Sequence, residues 1–406
     1  MARDETVLPL SGLLPAELEA LRPFVVDLEN GHFSGLPGAS GHAELKTVPA
    51  DVDAIFSTHL PAFAASRGGG AVLVVFWAHG GLVSEGSALT AAQRNIPWWL
   101  ANGIYPIHFA WHTGFWDSLG DLVADHAREI WTPTAADKSM GAAAASLTGF
   151  PSVASGRGLN SPVTDSSNKL IEELLRHVGG MAIWAAMKEN ALKASEPGGG
   201  AAYVAAAMAA FQSHNPDTAT VHAAGFSAGA NFQEHFLPAV VRNGGAIDTC
   251  TLLVPAVGTE EFKRTLLPLL GQGVGRIAVF GMKTVLARED NCFGIYRGSL
   301  LDLIRAALDP TPGTPILGLQ QCIGEDTVLN ALFKVYPETG PAESVWSVTC
   351  DGALDARSAA TTHSAFDDDV PTMDSVVRRI TGRKSIVSFG TTAHARLLAV
   401  AGKIAL

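Results

Sequence analysis

The sequence predicts an α/β protein built on a largely parallel sheet. Two apolar runs carry that reading, the continuous Ala71 to Trp77 (AVLVVFW) and the short, partly β-branched Ala219 to Ala224, both suited to a strand buried on both faces. After the second run the spacing changes. Phe232, Phe236, Leu237, Val240 and Val241 recur at steps of three and four, as one face of a helix requires. Where strand gives way to helix stands Gly225-Phe226-Ser227-Ala228-Gly229, a G-x-S-x-G pentapeptide on a sharp reversal.

The two glycines have a steric role there, because neighbouring backbone leaves no room for a Cβ on either side of the serine. Ser227 itself is expected in an unfavourable backbone region. The following helix aims its first N–H groups and its positive dipole end at the serine oxygen, which favours negative charge developing there. A second motif, Ala78-His79-Gly80-Gly81-Leu82, closes the run Ala71 to Trp77 at the strand's carboxyl end, where open α/β sheets keep their ligand crevice.

Through GFSAG and this HGG loop the chain resembles the α/β hydrolase superfamily. The resemblance implies an eight-stranded, mostly parallel sheet with helices on both faces and a Ser-acid-His triad with Ser227 as nucleophile. It also implies an oxyanion hole made by the N–H groups of Ala228 and Gly81, joined by Leu82, which replaces the third glycine of the longer motif.

Composition bounds the rest. The 406 residues are 47% hydrophobic and 17% charged, enough apolar material for a large core. The formal net charge is -11 and there is no basic run, so nucleic acid and anionic membrane surfaces are not expected partners. No apolar stretch approaches the ~20 residues of a membrane span. The amino terminus lacks a charged start followed by an apolar run, and the expected location is cytoplasmic. Cys250, Cys292, Cys322 and Cys350 are widely spaced without a C-x-x-C pair and are expected as buried free thiols.

Taken in order, 24–28 and 41–46 read as strands of an antiparallel edge, and Val52, Ile55, Phe56, Leu60 and Phe63 as a helical stripe. A helix over 86–100 contains Pro97 and brings Trp98 and Trp99 onto the sheet, and Ile104 to Trp111 is the next strand. From 112 to 215 there is far more chain than a crossover needs. That stretch, with helices near 116–131 and 168–189 and a Gly, Ser and Pro-rich run at 148–167, is expected as an insertion, about half of it a lid over the strand ends. The core is then 1–111 and 216–406. Further strands are expected at 249–254, 276–280 and 345–349, and helices at 259–270, 299–308 and around 376–380. Gly271-Gln272-Gly273-Val274-Gly275 precedes its strand and departs from G-x-G-x-x-G, which excludes dinucleotide binding there.

A serine hydroxyl needs a base, and histidine suits because its proton affinity lies near neutral pH. His235, His363 and His394 follow Ser227. His235 lies about two turns along the helix that Ser227 opens, too far to reach the hydroxyl. The family order of serine, acid, histidine points to His363 in the loop after the last strand. It places the acid after the strand at 276–280, where Asp290 is preferred, with Glu289 and Glu260 as alternatives. Asp351 and Asp355 break the expected geometry. The expected activity is cleavage of carboxylic esters bearing apolar or medium-chain groups, through an acyl-enzyme and without metal or cofactor. An amidase, thioesterase or polyester hydrolase would use the same triad, and a catalytically silent binding protein is the reading from a different class.

Overall fold

The computed structural model describes residues 11–68, 71–81, 84–111, 119, 165–216, 218–292, 294, 296–335 and 340–391. Its centre is a sheet of β1 (Val25–Glu29), β2 (His32–Phe33), β3 (Val72–Ala78), β4 (Ile104–Trp111), β5 (Ala219–Phe226), β6 (Ile247–Leu253), β7 (Val274–Met282), β10 (Lys334–Val335) and β11 (Ala342–Ser347). Between β7 and β10 the short strands β8 (Asn291–Cys292) and β9 (Tyr296–Arg297) form a separate hairpin. In the large sheet the order is β10-β11-β7-β6-β5-β3-β4-β1-β2. Eight of these strands run parallel and only the edge strand β2 is antiparallel.

The strand order explains where a ligand crevice can form. From β3 the chain moves to β4 on one side and returns with β5 on the other, so connections diverge between β3 and β5. Crevices in open α/β sheets open at the carboxyl ends of strands at such a switch point. The ends in question carry His79-Gly80 and Ser227.

The two-residue alternation of a strand distributes β3 between two helical layers. Phe76 points to α5 (Gly229–Arg242), its ring 4.8 Å from Phe236 and 5.8 Å from Phe109. Trp77 points the other way to α1 (Glu85–Ala101), 6.1 Å from Trp99. Trp98 and Trp99 are fully buried core residues. Beyond α1 lies α7 (Val370–Thr381), capped by Asp369, whose carboxylate accepts the N–H of Thr372 at 3.0 Å.

Of the long connection between β4 and β5, three helices are described: α2 (Asp165–Val178), α3 (Gly180–Ser195) and α4 (Gly200–His214). The helix expected at 168–189 is thus two helices, parted at Gly179, whose φ of 110 suits glycine. Both α3 and α4 pack on α5 and belong to the layer that covers the sheet. The helix expected near 116–131, most of the stretch 148–167, Leu82 and His394 lie outside the described residues.

Several expectations need correction. Residues 41–46 form no strand, and β1 runs parallel to β4 instead of opening an antiparallel pair with them. Side chains take the backbone groups there: Glu85 Oε1 accepts the N–H of Glu44 at 2.7 Å, and Ser34 Oγ accepts that of Thr47 at 3.1 Å while donating to Leu45 O. The helix expected over 259–270 ends at Thr265 (α6, Thr259–Thr265), with a tighter turn at Leu267–Leu269 around Pro268. Cys350 is exposed, whereas Cys250, Cys292 and Cys322 are buried free thiols. Among the described residues no helix is long and apolar enough to cross a membrane.

Because Phe236 is fully buried between Phe76 and Phe109, Phe236→Ala should cost about 3–5 kcal/mol in unfolding free energy. A denaturant midpoint unchanged in that variant would contradict the packing described.

Candidate functional site

The turn between β5 and α5 is held by close backbone contacts. A Cβ on Gly225 would lie 2.7 Å from Gly229 O, and one on Gly229 would lie 2.1 Å from Ala78 O at the end of β3. Any larger residue would push strand and helix apart, so both glycines of the pentapeptide are sterically required. Between them Ser227 has φ 52, the left-handed region that non-glycine residues seldom occupy. Its main chain is tied to the end of β6, with Ser227 N–H donating to Leu253 O at 2.8 Å and Ala256 N–H donating to Ser227 O at 3.1 Å. Ala228 caps α5 without a side-chain acceptor, and in the first turn Ala230 N–H donates to Ser227 O at 3.1 Å and Asn231 N–H to Ala228 O at 2.9 Å.

His363 meets the serine from 136 positions away in the chain. Its Nε2 stands 2.8 Å from Ser227 Oγ, and its ring lies 5.7 Å from that of Phe226. The histidine opens a short 3-10 turn, His363–Ala365, in the loop after β11. A chain of hydroxyls steadies this loop: Thr372 Oγ1 donates to Ser358 Oγ at 2.8 Å, Ser358 Oγ to Ser347 Oγ at 2.9 Å, and Ser347 Oγ to Ala360 O. Asp369 Oδ2 adds a bond from Ala359 N–H at 2.9 Å.

Asp290 joins the pair through the main chain. Its Oδ2 accepts the backbone N–H of His363 at 2.8 Å and its Oδ1 that of Asn291 at 2.8 Å. The imidazole Nδ1 is buried and makes no hydrogen bond. Asp290 is 9% exposed; burial raises its pKa, the amide bonds from His363 and Asn291 lower it, and Asp302 raises it, leaving it above the usual carboxylate value. Burial alone pushes His363 down to about 3, so the ring is neutral at neutral pH. The competing acids are elsewhere: Glu289 is exposed, Glu260 pairs with Lys263 at 2.6 Å on the surface, and Asp351 is exposed. Asp355 is half-buried, and Arg379 bonds its carbonyl. His235 stands 3.7 Å from Glu234 on the far face of α5.

The HGG loop lies over the serine. A Cβ on Gly80 would meet the Phe226 ring at 2.9 Å and Ser227 Cβ at 3.3 Å. His79 fixes the loop: its Nδ1 donates to Gly80 O at 2.7 Å while its Nε2 accepts Trp111 N–H at 3.2 Å, and Trp111 Nε1 donates back to His79 O at 3.2 Å. Gly81 follows, buried, and Leu82 is outside the described residues. Sequence reasoning missed both the part of His79 as the pin of this loop and the hydroxyl chain behind His363. The apolar run before His79 was a signal for the first; the second, scattered from Ser347 to Thr372, left none. Both ends of the Nε2–Oγ contact are deeply buried, Ser227 1% and His363 3% exposed.

Comparison of the chain with protein-family models, with curated proteins and with solved structures finds no match in any of the three.

Burial of titratable groups sets the pH dependence of stability. Besides His363, burial holds His108 at about 3, helped by His79, and His222 and His235 at about 4, whereas it pushes Glu234 up to about 8. Below about pH 6.5 the unfolded chain binds protons at these four histidines that the folded chain refuses, so stability is lost as the pH falls toward 4. Glu234 acts oppositely: the folded state keeps a proton the unfolded chain has released, so stability is lost as pH rises through 8. Melting temperature should therefore peak near about pH 6.5 and fall more steeply on the acid side. A flat profile between pH 7 and 5 would contradict this.

Proposed function

We propose that the chain is a serine hydrolase of the α/β hydrolase type, with Ser227 as nucleophile, His363 as base and Asp290 as acid. The observation that carries the reading is the 2.8 Å approach of His363 Nε2 to the oxygen of a serine at φ 52. A strained serine at the carboxyl end of a parallel strand, facing a neutral imidazole, is the arrangement that nucleophilic attack needs.

In this reading Ser227 Oγ attacks an ester carbonyl carbon as its proton passes to His363 Nε2. The amides of Ala228 and Gly81, with Leu82, receive the negative oxygen. Collapse breaks the bond to the leaving alcohol, which takes the proton back from Nε2. Water, deprotonated by the same imidazole, then attacks the acyl-enzyme and releases the carboxylic acid. Asp290 anchors the histidine by its main-chain amide, and in this reading its carboxylate turns to receive Nδ1–H as the ring becomes charged. Hydrogen bonds in resting sites commonly tighten only along the reaction. The substrate class is a carboxylic ester with an apolar acyl or alkyl group; amides and thioesters call for the same groups.

The near-complete burial of Ser227 and the unbonded Nδ1 favour a second reading, a silent member of that fold that binds without turnover. A fluorophosphonate separates the two. The hydrolase reading expects one adduct, located by mass spectrometry on Ser227, forming faster with small probes than with bulky ones. Failure of every probe to react favours the binder.

On p-nitrophenyl esters of graded chain length, Ser227→Ala should lose at least about a thousandfold in kcat, and Asp290→Asn about a hundred- to ten-thousandfold. Full activity in Ser227→Ala would rule the mechanism out.

A further inference from the structure

The acid of the site is gripped by the long connection between β4 and β5. Asp290 sits at the neck of the β8–β9 hairpin, where its carbonyl accepts the N–H of Gly298 at 2.8 Å and its own N–H donates to Leu286 O at 3.0 Å. The outer edge of that hairpin is taken by α2. Asn168 Nδ2 donates to Arg297 O at 2.6 Å, and Asn168 Oδ1 accepts Arg297 N–H at 3.0 Å, so one side-chain amide satisfies both backbone groups as a neighbouring strand would. One turn along, Glu172 Oε1 accepts the hydroxyl of Tyr296 at 2.8 Å, and Tyr296 is 3% exposed. Another turn on, Arg176 donates to the carbonyls of Ala306, Asp309 and Pro310 at 3.3, 3.0 and 2.9 Å, fastening the other end of the helix.

The spacing of Asn168, Glu172 and Arg176, four residues apart, puts all three on one face of α2, with Ile171 and Leu175 buried beside them. One rigid helix thus spans the hairpin and the segment that follows it. The Asp290 carboxylate itself is held by the two amides of His363 and Asn291, and the charged neighbour raising its pKa is Asp302.

We propose that α2 is a clamp on the acid loop, and that Asn168, Glu172 and Tyr296 are positioning residues that hold Asp290 in register with His363. The role of Asp290 in this inference rests on the hydrolase reading; the clamp itself does not. Loosening the hairpin lets the carboxylate drift, which withdraws support from the imidazolium without altering Ser227 or the amides assigned to the oxyanion. The signature is a fall in kcat at nearly constant KM, because an unsupported imidazolium weakens the step in which the ring holds the proton and leaves substrate binding as it was.

The test uses the full chain with Asn168→Ala, Glu172→Gln and the milder Tyr296→Phe, each checked for an unchanged melting profile. Wild type and variants are compared in fluorophosphonate labelling, p-nitrophenyl ester kinetics at neutral pH, and hydrogen exchange over peptides covering 290–298 and 363. The proposal expects at least about a tenfold drop in kcat for Asn168→Ala, a smaller one for Tyr296→Phe, KM within about twofold, and faster exchange in both peptides. Variants matching wild type in kcat and exchange would overturn it. Should wild type take no label at Ser227, the hydrolase reading falls and exchange alone decides: acceleration at 290–298 and 363 upholds the clamp, and its absence removes it.

Discussion

The structure depends on one steric constraint, the closeness of the β5–α5 turn to the end of β3. With Gly229 seated on the carbonyl of Ala78, helix and sheet come together at a distance no side chain allows. That contact holds the left-handed backbone of Ser227, and it fixes the angle at which α5 leaves the sheet. The angle decides which rings meet beneath: Phe232 and Phe236 reach Phe109 and Phe76 only along this line. Core packing and site geometry are therefore two ends of the same constraint, and the apolar contacts along α5 offset the strain concentrated at one residue.

Polar groups around this turn are arranged for a dry environment. Gln233 reaches from α5 to the carbonyls of Phe76 and Ala224 at 3.2 and 2.9 Å, bridging β3 and β5 from the helix side. His79 ties the end of β3 to that of β4, through one tautomer that serves Gly80 and Trp111 at once. The neutral state of His363 follows from the same exclusion of water. A charge placed there has a carboxylate and two main-chain amides for company, and little solvent. Asn231, also on α5, is buried with both amide atoms unbonded, an arrangement that costs stability and for which the structure offers no physical account.

Much of this was legible in the sequence, and the reasons are local. A continuous apolar run such as 72–78 suits a strand buried on both faces, and the serine between glycines marks the strand–helix junction after 219–226. His363 and Asp290 were expected from chain order, and the structure brings the His363 ring to Ser227 and the Asp290 carboxylate to the His363 main chain, because the loops after β11 and β7 lie on the same side of the sheet. What failed was local structure decided by distant partners. Residues 41–46 have a strand's composition, but Glu85 takes the Glu44 N–H from 41 positions along the chain and Ser34 Oγ donates to Leu45 O. The grip of Asn168 on Arg297 was equally invisible, since a lone asparagine on a helix carries no sign of what it will meet 129 positions later.

Cys350 has a practical consequence. It lies on the surface three residues beyond β11, at the start of the loop that carries the imidazole, while the other three sulfurs are enclosed and Cys250 is held at about 12. A maleimide dye added to the native chain would attach at that single position without any engineering of the sequence. The molecule thus comes with its own attachment point for an optical reporter on the segment whose small movements matter most.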